Sequence, residues 1–398
     1  MSDISRKNPY NSNELFLGFD LSTQSITVIA VNGKHQPVYE ASVQFDKCMP
    51  EFKTSGGVIR HEDKLTVTAP PLMWVGGLDL LLEQMAKDRF PFKQVIAVSG
   101  SGQQHGSVFL KDGASSVLAG LSPEKTLRDQ VSGIFAFDRS PVWMDSSTTR
   151  QCLARDSALG GAQSVAELTG SRSYERFTGN QIAKYYEQHP HVYSEVERIC
   201  LVSSFIESLL TGGYAPIDYA DGAGMNLMNI RSCEWDKRAL ACTAPGLSEK
   251  LGVIVPSHSV DGKISSYFVQ RYGFAGNCSV ISFSGDNPNS LAAMRLSDHG
   301  DIAISLGTSD TLFGALKEPT PFADGGHVFR NPIDPDGFMA LICFKNGALT
   351  REYVRDRVAN GSWQTFEEIL SDTQPGNDGN IGFYFLEQEI TPSNLKTG

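Results

Sequence analysis

Asp286, a carboxylate, comes shortly after a short apolar run and is followed directly by the amide side chain of Asn287. Residues 280–283 have the pattern of a buried strand, and a Ser-Gly pair then leads to the carboxylate. Open α/β sheets place their ligands at the carboxyl ends of strands, so Asp286 is presented where substrates bind. There it could accept the proton of an attacking hydroxyl group in a phosphoryl transfer. A helix-capping aspartate is the alternative interpretation.

Two turns built from small hydroxyl residues form the next feature. Residues 21–24 follow the apolar segment 15–19, and residues 307–310 follow a similar segment at 302–306. Such turns expose backbone N–H groups, and their hydroxyls add donors for the oxygens of a triphosphate. Neither turn matches the G-x-x-x-x-G-K-[ST] pattern of a P-loop, and for each a plain hairpin turn is the alternative. Asp20, directly before the first turn, could hold Mg²⁺ against phosphates or simply cap the turn.

The two turn regions also resemble each other. In both, an apolar strand leads into a tight turn of small hydroxyl residues and then into a second run rich in β-branched or apolar residues, at 25–31 and 311–316. Two distant copies of one pattern indicate two lobes built on one plan, each presenting a turn to a shared cleft. A chance similarity of two hairpins is the alternative.

A glycine-rich segment at residues 99–106 superficially resembles a dinucleotide-binding turn. A dinucleotide fingerprint opens a helix in the first βα unit, whereas here residues 107–110 are β-like and run into another turn. The pattern therefore argues against a dehydrogenase. Gln103, Gln104 and His105 are instead suited to hydrogen-bonding a polyol.

The strands and helices that must position these residues predict an α/β protein with a mixed sheet. The sequence predicts three antiparallel strands at residues 15–19, 25–31 and 38–45, with Asn32 and Gly33 in a hairpin turn between the second and the third. Apolar spacing predicts two helices. One carries Leu78, Leu81, Leu82 and Met85, and the other carries Ile199, Val202, Ile206 and Leu209.

The overall composition and charge limit the classes of protein to which the chain can belong. The chain has 398 residues and a formal net charge of -11, which argues against nucleic acid or an anionic membrane surface as a partner. No segment approaches the roughly 20 apolar residues that span a bilayer. The seven cysteines are scattered without a C-x-x-C spacing, so we expect reduced thiols in a cytosolic protein. Residues 1–14 are expected to form a disordered tail.

Together these segments resemble the FGGY carbohydrate kinases, and among them the xylulose kinases of animals. The resemblance is carried by residues 17–24, 99–107, 141–149, 168–184, 282–287, 302–311 and 344–347. It implies a two-lobed, actin-like (ribonuclease H-like) α/β fold. It also implies that the substrates are D-xylulose and ATP with Mg²⁺, and that the product is D-xylulose 5-phosphate. The resemblance leaves a monomer or a homodimer open.

The resemblance implies roles for particular residues. His105, Arg176, Asp286 and Asn287 would bind the sugar, with Asp286 as the general base. Asp20 would be the metal-linked acid. The nucleotide would be held by Ser22, Thr23, Gln24, Gly307, Thr308, Ser309 and Trp363.

The family pattern further implies a sugar-binding lobe at residues 15–295 and a nucleotide-binding lobe at 296–398. Family members continue well beyond this length, so we expect an incomplete second lobe and weak kinase activity from the chain alone. A sugar-binding fragment is the alternative function. An actin-like ATPase scaffold is a third hypothesis, but it leaves the Gln-Gln-His turn unexplained.

Overall fold

The computed structural model describes residues 13–306, 310–344, 346–382, 384–386 and 389. In this part of the chain the strands, β1 to β20 in order, are Leu15–Leu21, Ser25–Asn32, Pro37–Gln44, Ile59–Arg60, Val67–Ala69, Val95–Gly102, Ser107–Lys111, Ser140–Pro141, Val196–Leu201, Ile217–Asp218, Met228–Asn229, Glu234–Trp235, Ile254–Val255, Val260–Lys263, Ser279–Ile281, Ser284–Gly285, Ile302–Leu306, Asp310–Leu316, His327–Arg330 and Phe338–Phe344. The α-helices of the same part, α1 to α16, are Phe45–Cys48, Pro71–Lys87, Ala114–Ala119, Leu127–Val131, Thr149–Leu159, Ala162–Thr169, Thr178–Gln188, Pro190–Ser194, Val202–Thr211, Tyr219–Ala223, Lys237–Ala241, Leu247–Leu251, Ser266–Tyr272, Asp286–Ala293, Ala348–Ala359 and Trp363–Ser371. Short 3₁₀ turns occupy Pro50–Phe52, Phe92–Gln94 and Asn377–Gly379.

A mixed sheet forms the centre of the first part of the molecule. Among the described residues its strand order is β14-β15-β6-β1-β2-β3, and β16 pairs with the carboxyl end of β6. Strands β1, β2 and β3 are antiparallel, which confirms the predicted opening hairpins. Strands β15 and β16 and β1 all run parallel to β6. The carboxyl ends of β1, β6 and β16 therefore meet at one edge.

The hydrophobic pattern explains why the sheet holds this arrangement. Leu15, Leu17, Phe19 and Leu21 alternate along β1 and are all buried, as expected for a strand with one face on the core. The predicted helix at Leu78 is confirmed as α2, whose apolar face is fully buried against β2 and β3. This core fixes the position of β1, which carries Asp20 as its next-to-last residue.

A second sheet follows in the chain. It is antiparallel in the order β17-β18-β20-β19. Its strand β19 packs against the first part, where Phe329 shares a buried cluster with Ile230 and Leu291. The Val328 N–H also donates to the Gly170 carbonyl over 2.9 Å. The two sheets are therefore joined by direct contacts and enclose a gap between them.

One predicted element is wrong. Ile199 lies in strand β9, which pairs with β7, and the helix begins only at Val202. Apolar spacing along these residues fits a helix, but pairing with a distant strand takes the first of them into a sheet. All seven cysteines are free thiols, in agreement with the expectation. No helix in the described ranges is long and apolar enough to cross a membrane.

Candidate active site

The parallel strands bring the predicted residues to one edge of the first sheet. In the register of the sheet Asp20 on β1 pairs with Ser101 on β6, and Ser101 pairs with Ser284 on β16. Asp286 follows β16 directly as the first residue of α14. The carboxylates of Asp20 and Asp286, which are far apart in the sequence, thus lie at the same sheet edge.

Asp20 is held by two hydroxyl groups. Ser22 Oγ donates to its Oδ2 over 2.5 Å, and Ser101 Oγ donates to its Oδ1 over 2.7 Å. Within the described residues, no group of three or more His, Cys, Asp or Glu side chains could form a metal site built by protein alone. A single fixed carboxylate nevertheless fits Mg²⁺, which is commonly bound by one or two carboxylates, waters and substrate phosphates.

The first predicted turn closes the hairpin between β1 and β2. Its backbone is fixed by the Ser22 N–H, which donates to the Ser25 carbonyl over 3.0 Å. The Thr23 hydroxyl accepts from Trp143 Nε1 over 2.9 Å, and both side chains line the cavity described below. Gln24 is exposed and does not belong to the lining. Ser22 and Thr23 are therefore placed at the site, and Gln24 lies at its margin.

A cavity of about 290 Å³ lies between the two sheets. Its lining contains the predicted sugar-binding set: His105, Arg176, Asp286 and Asn287. The second sheet closes it with His327, Phe329, Leu341 and Cys343. Asp286 also lines a neighbouring groove that contains Asp20 and Ser101. Asp286 thus lies where the cavity meets the groove at the edge of the first sheet.

The Asp286 carboxylate is held by backbone and side-chain donors. Its Oδ1 accepts from the Gln104 N–H at 3.3 Å, the Asn287 N–H at 2.9 Å and Asn287 Nδ2 at 3.2 Å. Burial, and then the negative charge of Asp20, raises the pKa of Asp286 to about 6. A carboxylate with a pKa near neutrality is suited to taking up a proton during a reaction.

His105 is a neutral ring aimed into the cavity. Its Nδ1 lies 3.1 Å from the Gly224 carbonyl oxygen and donates to it, which leaves Nε2 as an acceptor. The ring stacks on Phe177 at a centroid distance of 4.5 Å. Burial, and then the charge of Arg176, lowers the pKa of His105 to about 3. The ring can therefore accept a hydrogen bond from a ligand hydroxyl without becoming charged.

Arg176 reaches the same cavity from the loop before α7. Its Nη2 lies 3.0 Å from Nε2 of His327, a residue of the second sheet. The guanidinium also lies over the Tyr174 ring at 5.4 Å from the centroid. An arginine within reach of the cavity can supply several fixed N–H donors to a polyol.

Of the remaining predicted residues, Trp363 is described and is not brought to this site. Trp363 begins α16, is 48% exposed, and packs against Arg355 and Phe366 instead of lining the cavity. Gly307, Thr308 and Ser309 lie outside the described residues. Their predicted contacts with a nucleotide stay predictions.

Sequence reasoning left several residues of the lining unassigned, among them Trp143 and His327. By residue type Trp143 could line a cleft or belong to the core, and in the structure it is 42% exposed and donates to Thr23 in the turn. His327 was not singled out at all, although the Gly-Gly pair before a His-Val-Phe run is a weak signal of a strand start. Its partner Arg176 is 151 positions away, so only the fold reveals the contact.

Comparison with known proteins places the chain in a family. The profile of the FGGY family of carbohydrate kinases, N-terminal domain, matches residues 138–293. The chain is 57% identical to the xylulose kinase of Mus musculus over 94% of its own length and 68% of the relative's. This chain belongs to the xylulose kinases of the FGGY family. It is also 51% identical to xylulose kinase 2 of Arabidopsis thaliana, over 95% of this chain and 68% of that one.

The fold agrees with this family. A xylulose kinase from Lactobacillus acidophilus superposes with a TM-score of 0.76, covering 96% of this chain and 71% of that one at 17% identity. The predicted two-lobed, actin-like class is thereby confirmed. The FGGY profile ends with the last residue of α14, so the part of the site that it covers includes Arg176, Asp286 and Asn287.

Proposed function

We propose that the protein transfers the γ-phosphoryl group of ATP to D-xylulose, giving D-xylulose 5-phosphate and ADP. The observation that carries the proposal is the position of Asp286, whose carboxylate has a raised pKa and lies where the cavity between the sheets meets the groove that contains Asp20. Membership of the xylulose kinase family supports this activity over a fragment that only binds sugar.

The sugar would occupy the cavity between the sheets. Nε2 of His105 would accept from a sugar hydroxyl, while Arg176 and Asn287 would donate to sugar oxygens. The terminal hydroxyl would then face Asp286. The oxygen of this sugar hydroxyl forms a bond to the γ-phosphorus, and the bond from that phosphorus to the β,γ-bridging oxygen breaks. The hydroxyl proton goes to the Asp286 carboxylate.

The phosphates would lie along the edge of the first sheet. The amides and hydroxyls of residues 22–24 would donate to phosphate oxygens, and residues 307–309 would do so from the second lobe. Asp20 would hold Mg²⁺ together with phosphate oxygens, and the ion would offset phosphate charge. Trp363 would contact the nucleotide.

The two sheets support a division into a sugar-binding lobe, 15–295, and a nucleotide-binding lobe, 296–398, with the gap between them as the catalytic cleft. The proposed tail at 1–14 lies almost wholly outside the described residues. Free thiols at all cysteine positions agree with a cytosolic location.

The test of this function is a sugar-dependent ADP assay with the purified chain. We expect ADP and a sugar 5-phosphate to form in equal amounts with D-xylulose, ATP and Mg²⁺. Glycerol and D-xylose serve as controls for a triol and an aldose. ADP release that does not depend on D-xylulose, or a product phosphorylated at another carbon, would contradict the proposal.

A glycine beside the first turn gives a test of the phosphate site. Gly57 has a φ of +75°, and a Cβ there would lie 1.9 Å from the Thr23 carbonyl oxygen. Gly57→Ala must therefore displace the turn. We expect the KM for ATP to rise by about tenfold, because misplaced N–H groups lose phosphate contacts, while the affinity for D-xylulose changes little. Steady-state kinetics and sugar calorimetry measure the two effects.

The neighbouring glycine is a matched control. Gly56 has a similar φ of +65°, but a Cβ there meets nothing within 4 Å. Gly56→Ala should carry the same backbone strain without pushing the turn. Equal effects of the two substitutions on the KM for ATP would mean that strain in the loop, and not the position of Thr23, is responsible.

A further inference from the structure

His327 comes from the second sheet, yet its ring is surrounded by residues of the first part of the molecule. Its centroid lies 4.8 Å from that of Tyr174 and 5.4 Å from that of Phe177. It is only 3% exposed. A buried polar ring in such a place needs hydrogen-bond partners on its nitrogens.

Both ring nitrogens find partners across the gap. Arg176 Nη2 lies 3.0 Å from Nε2, and Ser171 Oγ lies 3.2 Å from Nδ1. Arginine can only donate, so Nε2 of His327 must be the acceptor. The hydrogen of the neutral ring therefore sits on Nδ1, which donates to Ser171. Burial, and then the positive charge of Arg176, lowers the pKa of His327 and keeps this form.

His327 is the one hydrogen-bond partner of the Arg176 guanidinium among the described residues. In the same part of the chain the guanidinium makes no ion pair. A partly buried arginine such as Arg176 is commonly oriented by a carboxylate, which also offsets its charge. Here a neutral acceptor fixes the direction of the guanidinium and leaves its charge and remaining N–H groups for a ligand in the cavity.

The strand that carries His327 is itself held against the loop that carries Arg176. The Val328 N–H donates to the Gly170 carbonyl over 2.9 Å. Gly170 has a φ of +91°, and a Cβ there would lie 2.0 Å from the Val328 carbonyl oxygen. Only glycine permits this approach. The position of His327 relative to Arg176 is thus set by the docking of one sheet on the other.

We propose that His327 is a positioning residue for sugar binding, which orients Arg176 from the second lobe and so ties the shape of the sugar site to the contact between lobes. The inference rests on the proposed function, because it takes D-xylulose as the ligand of the cavity. It assigns to the second lobe a part in recognising the sugar in addition to its part in holding ATP.

The proposal can be tested by replacing His327 with amide side chains that place a polar atom near only one of its two ring nitrogens. His327→Gln can place an acceptor near the position of Nε2, whereas His327→Asn places its amide nearer the position of Nδ1. We expect His327→Asn to weaken D-xylulose binding by about tenfold or more, as for loss of a charge-assisted hydrogen bond. His327→Gln should stay within about threefold of the unaltered protein. Calorimetry with D-xylulose in the absence of ATP gives the Kd values.

A double-mutant cycle separates positioning from a structural role. If His327 acts through Arg176, then His327→Asn should weaken sugar binding little further when Arg176 is already lysine. The KM for ATP and the melting temperature are measured alongside, since a folding defect would affect both ligands. His191→Asn, at an exposed histidine, is the matched control and should bind D-xylulose normally.

The outcomes separate the two proposals. If the unaltered chain binds D-xylulose and His327→Asn binds it equally well, or if the losses add fully in the Arg176→Lys background, the role of His327 is overturned and the proposed function stands. If the folded, unaltered chain does not bind D-xylulose at all, the proposed function fails, and the inference fails with it.

Discussion

Replacing Asp286 with asparagine is expected to lower kcat by about a thousandfold and to leave the KM for D-xylulose within about threefold. Asparagine keeps an oxygen that can accept from the Gln104 and Asn287 N–H groups, which lie 3.3 and 2.9 Å from Oδ1. It cannot take up a proton. The loss therefore isolates the role of the carboxylate as a base from its role in holding the loop. Steady-state kinetics with D-xylulose measure both parameters.

The pH profile provides an independent check on the same residue. A base acts in its deprotonated form, and the pKa of Asp286 is raised to about 6. In the unaltered protein kcat/KM for D-xylulose should therefore fall towards tenfold per pH unit below pH 6, and level off above about pH 7. In the Asp286→Asn variant this acid limb should disappear from the residual activity.

Asp298→Asn is the matched control, since Asp298 is an exposed carboxylate outside the site. It should leave kcat and the pH profile unchanged. An Asp286→Asn variant that keeps more than a tenth of the original kcat would rule out Asp286 as the general base. The sugar site would then need another proton acceptor.

The elements that carry Asp20 and Asp286 could be predicted because their signals are local. Alternating apolar residues define β1, and the small polar residues after it define the turn. Parallel pairing with β6 then brings Asp20 and Asp286 to one edge, as the rule for ligands at strand ends predicts. These inferences need only short windows of sequence and one general property of parallel sheets.

The parts that were missed depend on contacts between distant segments. Ile199 fits a helical spacing, but pairing of β9 with β7 places it in a strand. His327 carries no local sign of function, because its role comes from Arg176 and Ser171 in the other part of the molecule. The residue type of Trp143 fits either a core position or the wall of a cleft, and only the fold shows that its N–H donates to Thr23 at the cavity. The hydrophobic pattern predicts which residues are buried, but it does not predict which distant residue a polar side chain will form a hydrogen bond with.

Asp20→Asn should separate the phosphate side of the site from the sugar side. The substitution keeps one acceptor oxygen for Ser22 or Ser101, presents an amide donor to the other hydroxyl, and removes the charge that would hold Mg²⁺. We expect kcat to fall about a hundredfold and the Mg²⁺ concentration for half-maximal activity to rise, because charge on the phosphates is less well offset. Calorimetry without nucleotide should show unchanged D-xylulose binding.

The same substitution has a second consequence that a merely structural role for Asp20 would not produce. The negative charge of Asp20 is one cause of the raised pKa of Asp286. In the protein without nucleotide and Mg²⁺, its removal should lower the pKa of Asp286, since less repulsion opposes the deprotonated carboxylate, and the pH dependence of D-xylulose binding measures the change. Ser101→Ala, which removes a donor to Asp20 but keeps its charge, should leave that pKa closer to its original value. An Asp20→Asn variant with unchanged Mg²⁺ dependence and an unchanged pH dependence of sugar binding would contradict both the metal role and the electrostatic link between the two carboxylates.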